Sequence, residues 1–316
     1  MIAIETRHLT RSYGKVTAVN DLNLKIPSGS LFGLIGPNGA GKTTTLRMLA
    51  GLLGPTSGEI LLDGQSTKNN NPELRRKIGY MPDFFGVYED LLVWEYLDFF
   101  ARCYEMPANR RKQVVDELLE LVDLNEKRDS YVQALSLGMR QRLCLAHALV
   151  HDPQVLLLDE PASGLDPRAR VEMRELLREL GSMGKTIVLS SHILAELAEL
   201  CDSIGIIEKG RLVTSGLLET IQAQIHSGRK LKIRILSDEN AARAVLGNFS
   251  TVRDIQRQNG NESNQITLEL IFDGDENNAA DLLQTLIDQK VRVTSFEEGA
   301  NDLEDLFLKL TKGEVA

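Results

Sequence analysis

A nine-residue segment carries the residue types and spacing of a phosphate-binding loop. Gly36-Pro37-Asn38-Gly39-Ala40-Gly41-Lys42-Thr43-Thr44 fits the pattern G-x-x-x-x-G-K-[ST] in full. Glycines let backbone N–H groups turn inward and hold phosphate oxygens, and the start of a following helix adds partial positive charge. In this pattern Lys42 reaches the terminal phosphates and the Thr43 hydroxyl ligates Mg²⁺. The segment therefore predicts a site for a nucleoside triphosphate.

The flanking segments are those that a phosphate loop requires. The apolar run 31–35 precedes it and predicts a buried strand, while 44–50 predicts a helix that Gly51 closes. The alternative is a glycine-rich turn that binds nothing. The order of strand, loop and helix argues against that alternative.

Two adjacent carboxylates follow a second apolar run. Four apolar residues, 155–158, lead into Asp159 and Glu160, which predicts a parallel strand buried on both faces. Ligands bind at the carboxyl ends of such strands. Asp159 is thus expected to hold Mg²⁺ through water, and Glu160 to polarise a water for attack on the γ-phosphate. The alternative is a strand that ends in a charged turn.

Two further segments point toward the same chemistry. The strand predicted at 185–191 delivers His192 to the same sheet edge, although a histidine at a strand end is often only solvated. Ser136 and Gly138 stand just before the helix predicted at 139–150, where the positive helix end could receive an anion.

Composition limits the class of protein. The chain has 316 residues, of which 42% are hydrophobic and 26% charged, and this is typical of a globular protein with room for two domains. The net charge of −9 argues against a nucleic-acid partner. Three scattered cysteines suit a reducing compartment. The N-terminus lacks the apolar core of a signal peptide, and no run has the roughly 20 apolar residues that span a bilayer. If membranes matter here, we expect another chain to span them.

The pattern of the chain changes twice along its length. Alternating segments within 2–35 predict antiparallel strands that lead into the phosphate loop. Helical periodicity dominates from about 84 to 150, with helices predicted at 91–101, 114–124 and 139–150. From about 228 onward the order β-α-β-β-α-β predicts a small ferredoxin-like α+β domain.

In this order the motifs resemble the ATP-binding cassette (ABC) of ABC transporters. The resemblance covers residues 1 to about 220 and rests on six segments in the family's order: the phosphate loop, Ile78–Asp83, Leu135–Met139, Val155–Glu160, Ala162–Asp166 and Ser191-His192. It implies an α/β P-loop NTPase fold with a mixed sheet core, an antiparallel β subdomain and a helical subdomain at about 84–150. The domains are then a cassette at 1–220 and an accessory α+β domain at 228–316.

The resemblance also implies roles for individual residues. Tyr13 matches the aromatic residue that stacks on adenine, although its position alone fits a core aromatic equally well. Residues 36–44 match Walker A, Asp159 with Glu160 match Walker B and the catalytic glutamate, and His192 matches the histidine that contacts the γ-phosphate. Ser136 and Gly138 match the signature that closes over ATP held by a second cassette. The resemblance thus implies ATP and Mg²⁺ as ligands and a dimer of two cassettes as the working state. We expect a homodimer, and a heterodimer is the alternative.

Two departures from the family pattern are visible. The signature reads Leu135-Ser-Leu-Gly-Met139, in which Ser136 and Gly138 are retained. Asp83 stands where the family has a glutamine. A carboxylate is a hard oxygen donor that can also ligate Mg²⁺. It is shorter than glutamine, however, and adds negative charge beside the phosphates.

The resemblance implies an ATPase subunit of a transporter whose permease is a separate polypeptide. Residues 301–311 resemble the tail of bacterial exporter ATPases, which favours export and a peripheral location on the inner face of the cell membrane. The alternative is a soluble ABC ATPase acting on ribosomes or DNA, against which stand the single cassette and the lack of sustained heptads. Dimer stabilisation, regulation and permease contact stay open as roles of the C-terminal domain. The sequence does not identify the transported substrate, because the substrate is expected to contact the membrane chain.

Aromatic residues are concentrated in one stretch. Of 16 aromatic residues, eight lie between positions 84 and 104: Phe84, Phe85, Tyr88, Trp94, Tyr96, Phe99, Phe100 and Tyr104. Phe99 and Phe100 fall within an amphipathic helix, where we expect core packing. Residues 84–88 are expected in a loop, where exposed apolar side chains indicate a partner. By resemblance this loop receives a helix of the permease.

Overall fold

A computed structural model of the chain describes residues 1–69, 72–84, 86, 88–225, 229–236, 238–258 and 266–298. Two compact units are present, one formed by Met1–Leu218 and the other beginning at Glu219. Phe85 and the tail segment 301–311, both of which entered the sequence analysis, lie outside the described residues.

The first half of the Met1–Leu218 unit contains mostly strands. In chain order its elements are β1 (Ile2–Tyr13), β2 (Val16–Pro27), β3 (Leu31–Ile35), α1 (Lys42–Leu49), β4 (Ser57–Leu62), β5 (Gln65–Ser66), α2 (Pro72–Arg76) and β6 (Ile78–Met81). Strands β1, β2, β4 and β5 form an antiparallel sheet in the order β2-β1-β4-β5. The antiparallel strands predicted within 2–35 are therefore confirmed.

The second half alternates helices and strands. Its elements are α3 (Val93–Cys103), α4 (Ala108–Leu121), α5 (Leu137–Leu149), β7 (Val155–Asp159), α6 (Pro167–Ser182), β8 (Thr186–Ser191), α7 (Leu194–Ala198), β9 (Ser203–Glu208) and β10 (Arg211–Leu217). The helical segment predicted at about 84–150 is thus present as α3, α4 and α5.

A six-stranded sheet carries the motifs. Its order is β10-β9-β3-β8-β7-β6, with all pairs parallel except β10 with β9. Every residue of β7 and β8 is buried, as expected for strands covered on both faces. The carboxyl ends of β3, β7 and β8 meet at one edge, because Ile35 pairs with Ser191 and Asp159 pairs with Ser190.

One hydrophobic core joins the two sheets of this unit. It includes Leu22 and Ile26 from the antiparallel sheet, Leu157 and Val188 from the six-stranded sheet, and Leu46 of α1. Helix α1 therefore starts at the phosphate loop and buries its apolar face in this core. Burial of the helix holds the loop at its N-terminus in a defined place.

The unit that begins at Glu219 has a sheet of its own. Its elements after α8 (Leu218–Ile225) are β11 (Arg229–Ile235), α9 (Glu239–Leu246), β12 (Val252–Gln258), β13 (Ile266–Phe272), α10 (Glu276–Asp288) and β14 (Val293–Glu298). The antiparallel strand order is β12-β13-β11-β14, which is the ferredoxin-like arrangement. Asp275 and Asn278 form a capping box that starts α10.

Candidate nucleotide-binding site

The phosphate loop links β3 to α1, and the side chain of its lysine, Lys42, contacts the backbone of the same loop. The Lys42 ammonium group donates to the Gly36 carbonyl at 2.7 Å and lies 3.4 Å from a Glu160 carboxylate oxygen. The Lys42 side chain is only 6% exposed. Burial lowers the pKa of Lys42, and the charge of Glu160 opposes that shift. The ammonium group also lies 3.4 Å from the Pro37 carbonyl oxygen. A cation is therefore held over the loop by two carbonyl groups and one carboxylate.

Two glycines allow β2 to approach the loop closely. A Cβ atom on Gly41 would lie 2.4 Å from the Ala18 carbonyl oxygen, and one on Gly210 would lie 2.6 Å from the same oxygen. Both glycines have positive φ, of 103° and 72°. The Gly210 N–H also donates to the Ala40 carbonyl at 2.9 Å. The loop, β2 and the β9–β10 turn therefore meet at the Ala18 carbonyl group. Only glycine fits at the two positions that face it, 41 and 210.

Asp159 lies at the tip of β7 and is completely buried. Its Oδ1 atom accepts hydrogen bonds from the Thr43 hydroxyl at 3.1 Å and the Ser190 hydroxyl at 2.7 Å. Its Oδ2 atom is buried with no hydrogen-bond partner among the described residues. A buried carboxylate oxygen without a partner is costly, which indicates that it has a ligand in the working state.

Glu160 follows directly and has a left-handed backbone conformation, with φ of 50°. Its backbone N–H donates to the Ser190 hydroxyl at 3.0 Å. One oxygen of its carboxylate lies 3.4 Å from Lys42 Nζ, and the other lies 3.0 Å from His192 Nδ1. The carboxylate therefore links the phosphate loop to the end of β8.

A cavity of about 440 Å³ opens between these groups. Its lining includes the loop, Glu160, His192 and Asp83, as the sequence predicted, together with Ala18 and Ser163, which the sequence analysis missed. The full lining is Ala18, Pro37, Asn38, Gly39, Ala40, Gly41, Lys42, Thr43, Thr44, Asp83, Glu160, Ser163 and His192. Among the described residues, four that the sequence predicted for the site do not line the cavity: Tyr13, Ser136, Gly138 and Asp159.

Asp83 faces the cavity from the segment after β6 and is exposed. Partial burial and then the negative charge of Asp159 raise the pKa of the Asp83 carboxyl, whereas His192 and Lys42 lower it. Asp83 has no hydrogen bond to Thr43 or Asp159 in the described residues. Asp83 and Thr43 both line the cavity, whereas Asp159 is not among the lining residues.

Tyr13 ends β1 and is 48% exposed. The Arg11 guanidinium group lies over its ring at 4.6 Å from the centroid, and Arg11 Nη1 donates to the Gly54 carbonyl at 2.8 Å. One face of the ring is therefore covered by a cation. The ring is too exposed to be a core aromatic.

Ser136 and Gly138 form the start of α5. The Ser136 hydroxyl caps the helix by accepting from the Met139 N–H at 3.3 Å. Leu137, between them, is 44% exposed, so this helix start faces solvent. A Cβ atom on Gly138 would lie 3.2 Å from the Ala169 Cβ atom of α6. The helix start is thus close to α6 and open to an external ligand.

The acidic residues suit a metal that arrives with phosphates. No group of three or more His, Cys, Asp or Glu side chains in the described residues could hold a metal ion unaided. The donors that are present are the orphaned Asp159 oxygen and the Thr43 hydroxyl. Mg²⁺ is commonly held by one or two carboxylates together with substrate phosphates. The donor set therefore fits Mg²⁺ bound as a nucleotide complex.

Within the described residues, no helix combines the length and apolar character needed to cross a membrane.

Comparison with protein families gives two matches. The ABC transporter family matches residues 19–163. The family described as the ATP-binding protein DrrA1-3-like, C-terminal domain, matches residues 216–311.

Curated relatives are transporter subunits. The chain is 35% identical over 311 residues to the bacitracin transport ATP-binding protein BcrA of Bacillus licheniformis, covering 98% of this chain and 97% of that one. It is 44% identical over 213 residues to the Nod factor export ATP-binding protein I of Burkholderia orbicola, covering 67% of this chain and 70% of that one.

Solved structures agree with this grouping. An ATP-binding subunit of an ABC transporter superposes with a TM-score of 0.63 at 32% identity, covering 70% of this chain and 92% of that one. A dimeric bacterial ABC transporter cassette superposes with a TM-score of 0.62 at 28% identity, covering 68% and 98%. The soluble alternative acting on ribosomes or DNA is not favoured by these relatives. The chain therefore belongs to the ABC transporter ATPase family and is an ATP-binding, ATP-hydrolysing transporter subunit.

Proposed function

We propose that the cavity at the edge of the six-stranded sheet binds Mg²⁺-ATP and that Glu160 directs water at the γ-phosphate. The supporting observation is the convergence of Lys42, Asp159, Glu160 and His192, which come from three strand ends. Residues 36–44 cradle the phosphates, with Lys42 exchanging its Gly36 and Glu160 contacts for phosphate oxygens. Thr43 and Asp159 would hold Mg²⁺, and Asp83 is a further ligand candidate. Mg²⁺, when bound, supplies charge neutralisation on the phosphates.

The hydrolytic step depends on Glu160. Its carboxylate orients a water molecule and accepts its proton as the water oxygen bonds to the γ-phosphorus. The bond from that phosphorus to the bridging oxygen of ADP then breaks. His192 holds the carboxylate through the 3.0 Å contact. In the ATP complex it would also contact the γ-phosphate.

Substitution of Glu160 tests this role. Glu160→Gln keeps the side-chain shape and removes the base, so ATP is expected to bind while turnover falls about 10²–10⁴-fold. Binding of a fluorescent ATP analogue and phosphate release measure the two properties. Turnover near the wild-type value would contradict the assignment.

We also propose a head-to-tail homodimer. Tyr13 would stack on adenine, while Ser136 and Gly138 lie outside the cavity of their own chain and would contact ATP held by a second cassette. The exposed helix start at Ser136 supports this, because helix N-termini attract phosphate.

A pair of variants tests the dimer on a sizing column. Glu160→Gln is expected to dimerise only when ATP is added. Adding Ser136→Asp to it should abolish the dimer, since aspartate caps a helix as well as serine but repels phosphate. Ser182→Asp, at the end of α6, is the control and should leave the dimer intact. A dimer that survives Ser136→Asp would contradict the composite site.

We propose that the subunit drives export through a separate integral-membrane permease and is bound by it to the inner face of the membrane. Support comes from the relatives named above, which are export and transport subunits. Within the aromatic stretch, Phe84 is 91% exposed. Tyr88 differs, because its ring packs edge-on against Phe99 at 5.5 Å. Phe100 stacks on His147 at 3.6 Å, whereas Phe99 is 41% exposed.

Phe84 is therefore the sharper probe of the permease contact. Phe84→Ala should release the subunit from membranes that contain the permease, because truncation of a hot-spot residue costs about 2 kcal/mol or more, roughly 30-fold in affinity. Basal hydrolysis and melting temperature should stay unchanged. Tyr88→Ala should also lower the melting temperature, and Met183→Ala, another exposed apolar change, should do neither. Retained membrane association in Phe84→Ala would contradict the proposal.

Finally, we propose that 1–220 and 228–316 are separate domains. The hydrophobic core between 231 and 291 is formed entirely within the second of these ranges.

Transport in membrane vesicles tests the direction. Inverted vesicles that contain the subunit and its permease should accumulate substrate when ATP is added outside, because the cytoplasmic face of their membrane points outward. Loss of substrate from such vesicles would contradict export.

A further inference from the structure

One buried hydroxyl contacts both acidic residues of the site. Ser190 is the register partner of Asp159 across β7 and β8, and both residues are completely buried. Its Oγ atom lies 2.7 Å from Asp159 Oδ1 and 3.0 Å from the Glu160 backbone nitrogen. The sequence analysis placed Ser190 in the strand predicted at 185–191 but gave it no role.

The direction of both hydrogen bonds follows from chemistry. The Glu160 N–H can only donate, so Ser190 Oγ accepts there. The single hydroxyl proton of Ser190 is then free for the Asp159 carboxylate, which can only accept. The hydroxyl proton therefore has a fixed orientation between the two strand tips.

The first consequence concerns which oxygen of Asp159 is free. Oδ1 accepts hydrogen bonds from the Ser190 and Thr43 hydroxyl groups, whereas Oδ2 has no partner in the described residues. Without Ser190, the Thr43 bond alone, at 3.1 Å, would hold the carboxylate. The Asp159 carboxylate could then rotate, and Oδ2 would no longer be held in one orientation for a metal ion.

The second consequence concerns Glu160. A non-glycine residue in the left-handed region is held there by its surroundings. The bond from the Glu160 N–H to Ser190 provides such a constraint at the residue whose φ is 50°. The same backbone geometry directs the Glu160 carboxylate to Lys42 and His192.

We infer that Ser190 is a positioning residue that sets the orientation of the metal-binding Asp159 and of the hydrolytic Glu160 with one hydroxyl group. This inference rests on the proposed roles of those two residues. Groups that orient metal ligands typically contribute about 10–100-fold to metal affinity or activity.

A matched residue on the same strand separates positioning from ordinary stabilisation. Thr186 lies at the opposite end of β8, is 4% exposed, and accepts a hydrogen bond from the Gly29 N–H at 2.9 Å. Thr186→Val and Ser190→Ala each remove a buried hydroxyl that accepts from a backbone N–H. Both should lower the melting temperature, but only Ser190 contacts the acidic residues.

The experiment measures Mn²⁺ affinity of the full chain bound to a non-hydrolysable ATP analogue, by electron paramagnetic resonance, and turnover with ATP. Ser190→Ala should weaken Mn²⁺ binding and slow turnover, each about 10–100-fold. Analogue affinity without metal should stay unchanged. Ser190→Thr, which retains the hydroxyl, should restore both properties. Thr186→Val should leave both at wild-type values. If Ser190→Ala does not fold, Ser190→Cys, with a weak donor of similar size, replaces it.

Two outcomes are decisive. The positioning role would be overturned if Ser190→Ala and Thr186→Val lost Mn²⁺ affinity and turnover equally. It would also be overturned if Ser190→Ala lost neither. Asp159→Asn shows whether the proposed metal site itself is at fault. If Asp159→Asn weakens Mn²⁺ binding and Ser190→Ala does not, only the inference about Ser190 fails. If neither variant changes Mn²⁺ binding, the metal site fails as well.

Discussion

In the Met1–Leu218 unit, polar and charged side chains are buried at the edge where β3, β7 and β8 end, among them Lys42, Asp159 and Ser190. In the unit that begins at Glu219, no polar or charged residue whose burial the structure describes is buried. Its core consists of side chains such as Leu270 and Phe272. The two units therefore differ in what their interiors contain.

The difference distinguishes residues that are proposed to carry out the chemistry from residues that only stabilise the fold. Burying a polar group costs free energy unless its hydrogen bonds are satisfied. The first unit bears that cost at Asp159 Oδ2, where a ligand is expected, whereas an apolar core needs no ligand to be stable. An unpaired buried carboxylate oxygen thus coincides with the proposed ligand site, although buried polar residues such as Thr186 also lie elsewhere in this unit.

One test of this contrast is the loss of the Lys42 cation. Lys42→Ala removes the cation held over the phosphate loop, and hydrogen bonds to charged groups contribute about 1.5–3 kcal/mol, roughly 10–150-fold in affinity. Equilibrium binding of a fluorescent ATP analogue measures the loss. Lys185→Ala, at the start of β8, is the control. Unchanged affinity in Lys42→Ala would contradict the phosphate contact.

A core truncation in the second unit should have the opposite profile. Leu270 is fully buried in β13, so Leu270→Ala should lower the free energy of unfolding of this unit by about 2–5 kcal/mol. ATP affinity should be unchanged. Calorimetry of the whole chain measures the free energy of unfolding, and titration with the fluorescent ATP analogue measures the affinity. A large loss of ATP affinity would show that the two units are coupled.

The effect at Asp83 should be smaller. Asp83→Ala should raise the Mg²⁺ concentration needed for half-maximal hydrolysis by about five-fold or less, because exposed charged groups contribute about 1 kcal/mol or less. Asp83→Gln should keep the activity. Identical Mg²⁺ dependence in wild type and Asp83→Ala would show that this carboxylate does not act on the metal.

A pH dependence of stability is expected in the helical segment of the first unit. Burial, followed by the charge of His151, lowers the pKa of His147 to about 4 from its ordinary value of 6.5. Between these values the unfolded chain binds a proton that the folded chain does not, so stability falls as pH drops from about 6.5 to 4. His147→Phe should melt with a shallower pH dependence over this range. An unchanged slope would contradict the shift.

Much of the site was predictable because it lies in short segments with strong local patterns. The buried run before Asp159 and the glycine loop before Lys42 determine their own elements, and the sheet edge follows from parallel pairing. The ferredoxin-like strand order was also predicted, since its helices and strands alternate clearly in the sequence.

What was missed depends on register between distant segments. Ser190 contacts Asp159 only because β7 and β8 pair in one register, and the serine itself carries no motif. Ala18 lines the cavity through the approach of β2, which no local pattern encodes. Helix α4 begins at Ala108 and not near Val114, because the charged first turns face solvent and hide the apolar period.

The carbonyl of Ala18, enclosed by Gly41 and Gly210, has a consequence for how the phosphate loop acquires its shape. An isolated peptide containing only the nine loop residues would lack both β2 and the turn after β9, which constrain the loop from outside. Such a peptide should sample many conformations and bind nucleotide weakly. Transplanting the loop into another protein should fail for the same reason, unless the recipient supplies a strand at the same distance. The cradle is therefore a property of the folded unit, and ATP binding by this chain should disappear in the same cooperative transition in which that unit unfolds.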